Sequence, residues 1–205
     1  MHYEEALCCI KDHWDDTSDA RKIQALQAVE NRMAFESGRL PCPVVGRFLY
    51  TGEEGTVLGS YNREDRVILI NSSQFAPDAR YGKEELVKAC LHEGRHAFQH
   101  QVCEGLAVHK DPEEVKIWRD NLKNYISFDE NPRGYVQQPV EVDARTFADR
   151  RYVQLLTEME SAVESRAASA RDVFVSQYHT AQTEQKDAAW RVGEVQQERG
   201  VGIGR

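Results

Sequence analysis

The sequence predicts an α+β fold, with N-terminal helices, a small antiparallel sheet, a metal-binding helix and a long C-terminal helical region. Apolar residues recur every three or four positions in the first and last parts of the chain, as in amphipathic helices. Between residues 44 and 71 the pattern changes to three short extended runs. With 205 residues, the chain is long enough for one domain with a proper core, or for one domain with a helical appendage.

Two helices are predicted at the N-terminus, at residues 2–14 and 18–36. The second has a serine or threonine cap before it, an apolar side, and a glycine stop at Gly38. Pro41 and Pro43 then end the helical pattern.

The three extended runs lie at 44–50, 56–61 and 66–71. The polar segment 62–65 is short enough to join the last two runs as an antiparallel hairpin. Residues 67–70 are all apolar, and a strand that is apolar on both faces is expected at the centre of a sheet.

Helical periodicity returns at residues 83–105 and, after an aspartate cap and a proline, at 112–127. Tyr125 belongs to the expected buried stripe of the second of these helices. Residues 128–138 contain an Asn-Pro pair and a glycine and are predicted to form a loop.

A long helical stretch is predicted from Pro139 to about residue 197. We therefore divide the chain into a metallohydrolase domain with N-terminal helices, residues 1–150, and a C-terminal helical arm, residues 151–205, whose last six residues are expected to be disordered. The apolar stripe of the arm can pack on the domain, or it can contact a partner or a second copy of the chain.

The composition argues against several classes of function. The net charge is −8 and no cluster of Lys and Arg is present, so nucleic acid is not an expected partner. The apolar runs are too short to span a bilayer, and the N-terminus lacks a secretory pattern. The five cysteines have no metal-site spacing and are expected to be reduced thiols. We expect a cytoplasmic protein, or one exported without a signal peptide.

The strongest functional signal is the segment H-E-G-R-H at residues 92–96. Residues four apart share a helix face, so His92 and His96 can turn their imidazoles toward one ion. Glu93 lies beside that face and can take a proton from a zinc-bound water, whose pKa zinc lowers toward about 7. The spacing predicts metal-assisted hydrolysis. The alternative is a chance match, against which the apolar flanks argue, because plain histidines gain little in a core.

Catalytic zinc usually has three protein ligands and a water, so a third ligand is needed. The downstream candidates are His100, Glu104, His109, Glu141 and Asp143. His100 follows by one more helical turn, and three successive turns cannot all converge on one ion. His109 would need a tight reversal of the chain. Glu141 begins the last helix, from which it can project across the core.

The segment 141–148, E-V-D-A-R-T-F-A, resembles the E-x-(E/D)-A-x-x-F-A pattern that follows H-E-x-x-H in ImmA/IrrE-like metallopeptidases. The apolar strand before the metal helix is similar to that family and to related small gluzincins. The longer stretches 92–99 and 138–141 resemble zincin domains of bacterial effectors, polymorphic toxins and phage-borne proteins. The resemblance covers about residues 44–150.

This resemblance implies a zincin-like fold, one zinc ion per chain, and Glu141 as the third zinc ligand beside His92 and His96. Glu141 also has a structural interpretation, because near the start of a helix a glutamate stabilises the helix by capping. Asp143 is about 200° further around the helix. It is therefore expected to pair with an arginine or to support a ligand histidine. Tyr135 can stabilise an oxyanion, or it can simply pack.

We therefore expect a zinc metallopeptidase that hydrolyses a peptide bond in a protein substrate lying along the sheet edge, with Glu93 as the base. Hydrolysis of another type of bond is one alternative. A second alternative is a non-enzymatic protein that is stabilised by zinc, which a fourth protein ligand such as His100 or a cysteine would favour.

Overall fold

Helices lie at both ends of the described part of the chain, and a small sheet lies between them in sequence. The computed structural model describes residues 1–52 and 55–199, with side chains up to residue 173 and at residue 177 within these ranges. The predicted α+β class, with a small sheet and a long C-terminal helix, is confirmed. The predicted disordered tail from residue 200 lies outside the described residues.

The two N-terminal helices are α1, Tyr3–Asp12, and α2, Asp19–Glu36, close to their predicted bounds. Their apolar faces are buried in the main core, where Ile10, Leu26 and Val29 are at most 1% exposed. Burial of these faces stabilises the helices more than their intrinsic propensity does.

Five strands follow: β1 is Val44–Arg47, β2 is Thr51–Gly52, β3 is Gly55–Thr56, β4 is Gly59–Asn62 and β5 is Val67–Asn71. The predicted hairpin is confirmed, because β4 and β5 pair in antiparallel fashion. The expectation of a central strand is also confirmed, since the order of the three-stranded sheet is β1-β5-β4. Strands β2 and β3 form a separate two-stranded hairpin.

The prediction of an all-antiparallel sheet is wrong, because β1 runs parallel to β5. After β1 the chain passes through the β2–β3 hairpin and enters the sheet as β4 on the far side of β5. The β4–β5 turn then sends β5 back between the two outer strands, in the direction of β1. This crossover involves strands that are not neighbours in sequence, so the alternation of residues could not reveal it.

After β5 come a 3-10 helix, Ser72–Gln74, and three α-helices that precede the last one: α3, Lys83–Cys103, α4, Pro112–Lys123, and α5, Pro132–Gln137. The helix predicted at 112–127 therefore ends four residues early. The segment 128–138 is not wholly a loop, since Asn131 caps α5 by accepting from Gly134 N and Pro132 takes the first helical position. The Asn-Pro pair that predicted a loop therefore also begins a short helix.

The last helix, α6, spans Pro139–Arg199. The chain divides into two compact units, Met1–Ala162 and the residues from Val163 onward. Within the first unit, Tyr152, Leu155 and Met159 are buried in the main core. The apolar stripe of α6 therefore packs on the domain as far as residue 162.

All five cysteines are free thiols, and four of them are buried. Across the described parts of the chain, no helix combines the length and the apolar character that crossing a membrane requires.

A truncation tests the division at residue 162. A chain ending at residue 165 is expected to unfold cooperatively within a few degrees of the full chain, because it keeps every buried residue of the first unit. Thermal unfolding followed by circular dichroism measures this. A control chain ending at residue 150 loses Tyr152, Leu155 and Met159 and should be strongly destabilised. An insoluble or unfolded 1–165 chain would show that the remainder of α6 is required for folding.

Candidate metal centre

The H-E-G-R-H segment lies in the middle of α3, which contacts α2, β4 and β5. His92 and His96 are one helical turn apart, and their Nε2 atoms are 3.0 Å from each other. Both Nε2 atoms face Glu141, at 3.3 Å from Oε2 for His92 and at 3.2 Å from Oε1 for His96. The structure thus brings together the three residues that are candidate metal ligands in the sequence.

Glu141 lies in the first turn of α6, which α4 holds in place. Asn121 Oδ1 accepts from Val140 N, and Asn121 Nδ2 donates to Gln138 Oε1, at 3.0 Å each. The Glu141 side chain is 1% exposed and points at the histidines. The Gln138 N–H, which a capping glutamate would accept from, donates to Gly134 O instead. The carboxylate therefore faces the two histidines and does not accept the hydrogen bond of a helix cap.

The two oxygens of Glu141 have different surroundings. Tyr125 donates to Oε1 at 2.8 Å, whereas the buried Oε2 has His92 Nε2 at 3.3 Å and Arg145 Nη1 at 3.7 Å but forms no well-aligned hydrogen bond within the described residues. Such an oxygen is costly to bury unless a donor or a cation satisfies it. Ligand atoms at about 2.0–2.1 Å around a tetrahedral zinc are about 3.3 Å apart. The two Nε2 atoms here are 3.0 Å apart, and each lies 3.2 to 3.3 Å from a different oxygen of Glu141. The group can therefore hold a metal ion.

The charges of the group also favour a cation. Burial tends to raise the pKa of Glu141, but the His92 and His96 imidazoles that face its two oxygens outweigh burial and hold that pKa well below its usual range. Burial tends to lower the pKa of His96, but the hydrogen bond with Glu141 and the negative charge of Glu93 raise it overall. The site therefore attracts positive charge, and protons compete with a metal ion for it as the pH falls.

Glu93 lies beside the ligand group and is 9% exposed. The backbone of β4 passes close to the Glu93 side chain. A Cβ atom at Gly59 would be 3.0 Å from Glu93 Cγ and 3.4 Å from Glu93 Oε1. A side chain at Gly59 would thus require Glu93 to shift by a few tenths of an ångström. The glycine allows β4 to approach the carboxylate closely and to limit its movement.

A cavity of about 450 Å³ opens beside the ligands. Its volume lies in the range of about 300–1,000 Å³ that is usual for ligand pockets. Edge strand β4 forms one wall, and aromatic side chains from the α4–α5 region form another. The cavity is lined by Val57, Gly59, Ser60, Tyr61, Glu93, His96, His100, Leu122, Tyr125, Tyr135 and Glu141.

The other candidate ligands lie outside the group. His100 lines the cavity, but burial and the charge of Arg63 lower its pKa to about 4, so it is neutral at neutral pH. The His109 ring packs against Trp118, with ring centroids 4.8 Å apart. Glu104 pairs with Arg63 on the surface. Among the described residues, the group that could hold a metal ion has three members, none of them a cysteine.

Asp143 is not a member of the His-His-Glu group and takes an arginine partner, one of the two roles predicted for it. Its carboxylate accepts from Arg95 Nε at 2.8 Å and from Arg95 Nη2 at 3.0 Å. It also accepts from Gln99 Nε2 at 2.7 Å. The guanidinium lies 4.7 to 5.1 Å from the ring centres of Phe98, Trp118 and Phe147. Arg95 therefore joins α3, α4 and α6 behind the site.

Tyr125 and Tyr135 are, with Tyr61, among the residues that line the cavity. The expectation that Tyr125 lies in the buried stripe of a helix is wrong, because it follows the end of α4, is 43% exposed and donates to Glu141. Tyr135 lies on α5, where its ring packs edge-on against Tyr125 and Phe128. Burial and the charge of Glu141 raise the pKa of Tyr135 to about 12, so its hydroxyl stays protonated at neutral pH. The Tyr135 ring therefore packs against other aromatic rings, and its protonated hydroxyl can donate a hydrogen bond.

Sequence reasoning missed the polar residues that hold the ligands, namely Gln99, Asn121 and Tyr125. Their partners on α6 are 16 to 44 residues away along the chain, so no local pattern indicates those contacts. Gln99 also contacts His96, three residues before it. The one available signal was a glutamine, Gln99, within the apolar flank of the metal helix.

Comparison of the chain with protein-family models, curated proteins and solved structures finds no match. The fold and the site define a mixed α+β domain with a His-His-Glu group that could hold a metal ion. The relation to zincins stays a prediction based on the resemblance of the motifs.

Proposed function

We propose that this protein is a zinc-dependent metallopeptidase with a zincin-like fold. The observation that carries the proposal is the convergence of His92, His96 and Glu141 beside Glu93 in a cavity with an edge strand as its wall. Two imidazoles and one carboxylate are the ligand set of a known class of catalytic zinc site.

The donor set favours zinc over other common divalent cations. Magnesium and calcium are held by oxygen ligands, whereas imidazole nitrogens suit zinc and its transition-metal neighbours. Three protein ligands leave a coordination position free, as catalytic sites require and structural sites do not. This favours an enzyme over a protein that is only stabilised by zinc.

The proposed mechanism assigns a role to each side chain. His92, His96 and Glu141 would hold the zinc ion, which when bound polarises a carbonyl and lowers the pKa of a water. The Glu93 carboxylate takes the proton of the attacking water at one of its oxygens and passes it to the leaving amine. The Tyr135 hydroxyl, which stays protonated, is available to donate to the oxygen on which negative charge develops.

The proposed substrate is an extended segment of a protein or peptide. Strand β4 lies at the edge of the sheet and lines the cavity through Gly59, Ser60 and Tyr61. An edge strand offers backbone N–H and C=O groups with which an extended segment can pair. Such pairing would place a peptide bond of the substrate beside Glu93. The resemblance to effector and toxin domains agrees with a protein substrate.

The first test is the metal content. The protein, purified without chelators, is expected to contain about one zinc per chain, or to take up one zinc when titrated, because the three donors are already in place. Elemental analysis and isothermal titration measure this. His92→Ala serves as a control and should abolish uptake. No zinc and no uptake in the unaltered protein would rule out the proposal.

The second test is activity. Zinc-loaded protein is incubated with a peptide library derived from a proteome, and new N-termini are identified by mass spectrometry. We expect new N-termini that are absent when a chelator is present. Zinc binding without any new N-termini would favour the non-enzymatic alternative or a substrate of another chemical class.

A further inference from the structure

Gln99 is a fully buried amide between the two helices that carry the ligand group. It lies on α3, almost one turn after His96, and is 0% exposed. Its Nε2 donates to Val140 O at 3.0 Å and to Asp143 Oδ2 at 2.7 Å, both on α6. Its Oε1 is 2.8 Å from His96 Nδ1. Gln99 thus connects the histidine on one helix with the helix that carries Glu141.

The chemistry of these partners fixes the direction of every hydrogen bond. A backbone carbonyl can only accept, and so can the Asp143 carboxylate, which Arg95 pairs on both oxygens. The amide nitrogen of Gln99 must therefore face α6, and its oxygen must face His96. Because that oxygen can only accept, Nδ1 of His96 must carry the hydrogen. The atom left free is Nε2, which faces Glu141 at 3.2 Å.

We propose that Gln99 is a positioning residue that holds His96 with a hydrogen on Nδ1 and with Nε2 free to bind the metal ion. The proposal rests on the proposed zinc site and explains how that site is prepared. Asp143 and Val140 orient the amide of Gln99, the amide orients the imidazole, and the whole arrangement ties α3 to α6 next to Glu141. A ligand histidine whose second nitrogen is held in this way binds metal more tightly.

A second buried glutamine on the same helix provides a matched control. Gln101 is 1% exposed and also makes two hydrogen bonds across the core, accepting from Leu40 N at 2.9 Å and donating to Leu40 O at 3.0 Å. These bonds lead away from the ligand group. Replacement of Gln101 therefore reproduces the loss of a buried amide without touching His96.

The test compares Gln99→Met with Gln101→Met in the full chain, with zinc as the probe. Gln99→Met is expected to bind zinc about 10–100-fold more weakly, whereas Gln101→Met keeps the affinity of the unaltered protein. In ¹H–¹⁵N spectra of the zinc-loaded proteins, the Nδ1–H of His96 should be protected from exchange in the unaltered protein and in Gln101→Met. In Gln99→Met that protection should be lost.

Equal affinities for Gln99→Met and the unaltered protein would overturn the proposal, as would equal losses in both methionine variants. If the unaltered protein itself binds no zinc, it is the proposed function that fails instead.

Should Gln99→Met not fold, Gln99→Glu provides a second test, because it keeps an acceptor for His96 but puts a carboxylate against Asp143. Gln99→Glu should weaken zinc binding by at least about tenfold, and adding Asp143→Asn should recover affinity. Further loss in the double variant would contradict the proposal.

Discussion

Glu93→Gln is expected to lower hydrolysis by at least about a hundredfold, as the loss of a general base does. The carboxamide is nearly the same size as the carboxylate but cannot take a proton at neutral pH. Glu93 lies between α3 and β4, where the strand backbone approaches its side chain closely at Gly59. Little room is therefore left for another group to act as the base in its place. Glu93 is not a member of the His-His-Glu group, so zinc content should be unchanged.

The rate at which new N-termini appear in the peptide library measures this effect, with zinc content determined on the same samples. Glu104→Gln is the matched control, since Glu104 is at the end of the same helix but pairs with Arg63 and Arg66 on the surface. The control should keep full activity. If Glu93→Gln cleaves the same sites at the rate of the unaltered protein, Glu93 is not the base.

The elements that the sequence predicted correctly are those that depend on local patterns. The pair His92 and His96 follows from the period of the helix alone, and the antiparallel β4–β5 hairpin follows from a short polar turn. The convergence of Glu141 on the pair was suggested by its place at the start of the last helix and by the register of a resembling motif. Nothing in the spacing required it, because 45 residues separate Glu141 from His96.

The parts that the sequence did not predict depend on contacts between distant segments. The parallel pairing of β1 with β5 joins strands that are separated by the whole β2–β4 region. Asn121 and Gln138 link α4 to the start of α6 through amide groups that look like ordinary surface residues in the sequence. Buried polar networks of this kind specify a unique arrangement only once the fold has formed.

The roles of the two carboxylates on α6 can be separated by their effects on zinc affinity. Glu141→Gln removes the negative charge between the two histidines and should weaken zinc binding by well over tenfold, because a carboxylate is a far better zinc ligand than an amide. Tyr125 can still donate to the remaining carbonyl oxygen, so the fold should be kept. Asp143→Asn keeps an acceptor for Arg95 but weakens the hydrogen bond with Gln99. It should therefore lower zinc affinity about 10–100-fold.

A helix-capping role for Glu141 makes a different prediction. Glutamine also serves at the start of a helix, so Glu141→Gln would then cost at most about 1 kcal/mol of stability and leave zinc affinity alone. Competition titration with a chromogenic chelator, together with thermal unfolding of the zinc-free variants, distinguishes the two roles. Both oxygens of Glu141 face histidine nitrogens at 3.2 and 3.3 Å, so we expect the affinity to fall while the zinc-free stability changes little. Unchanged affinity for Glu141→Gln with a collapse for Asp143→Asn would assign the third ligand to Asp143 instead.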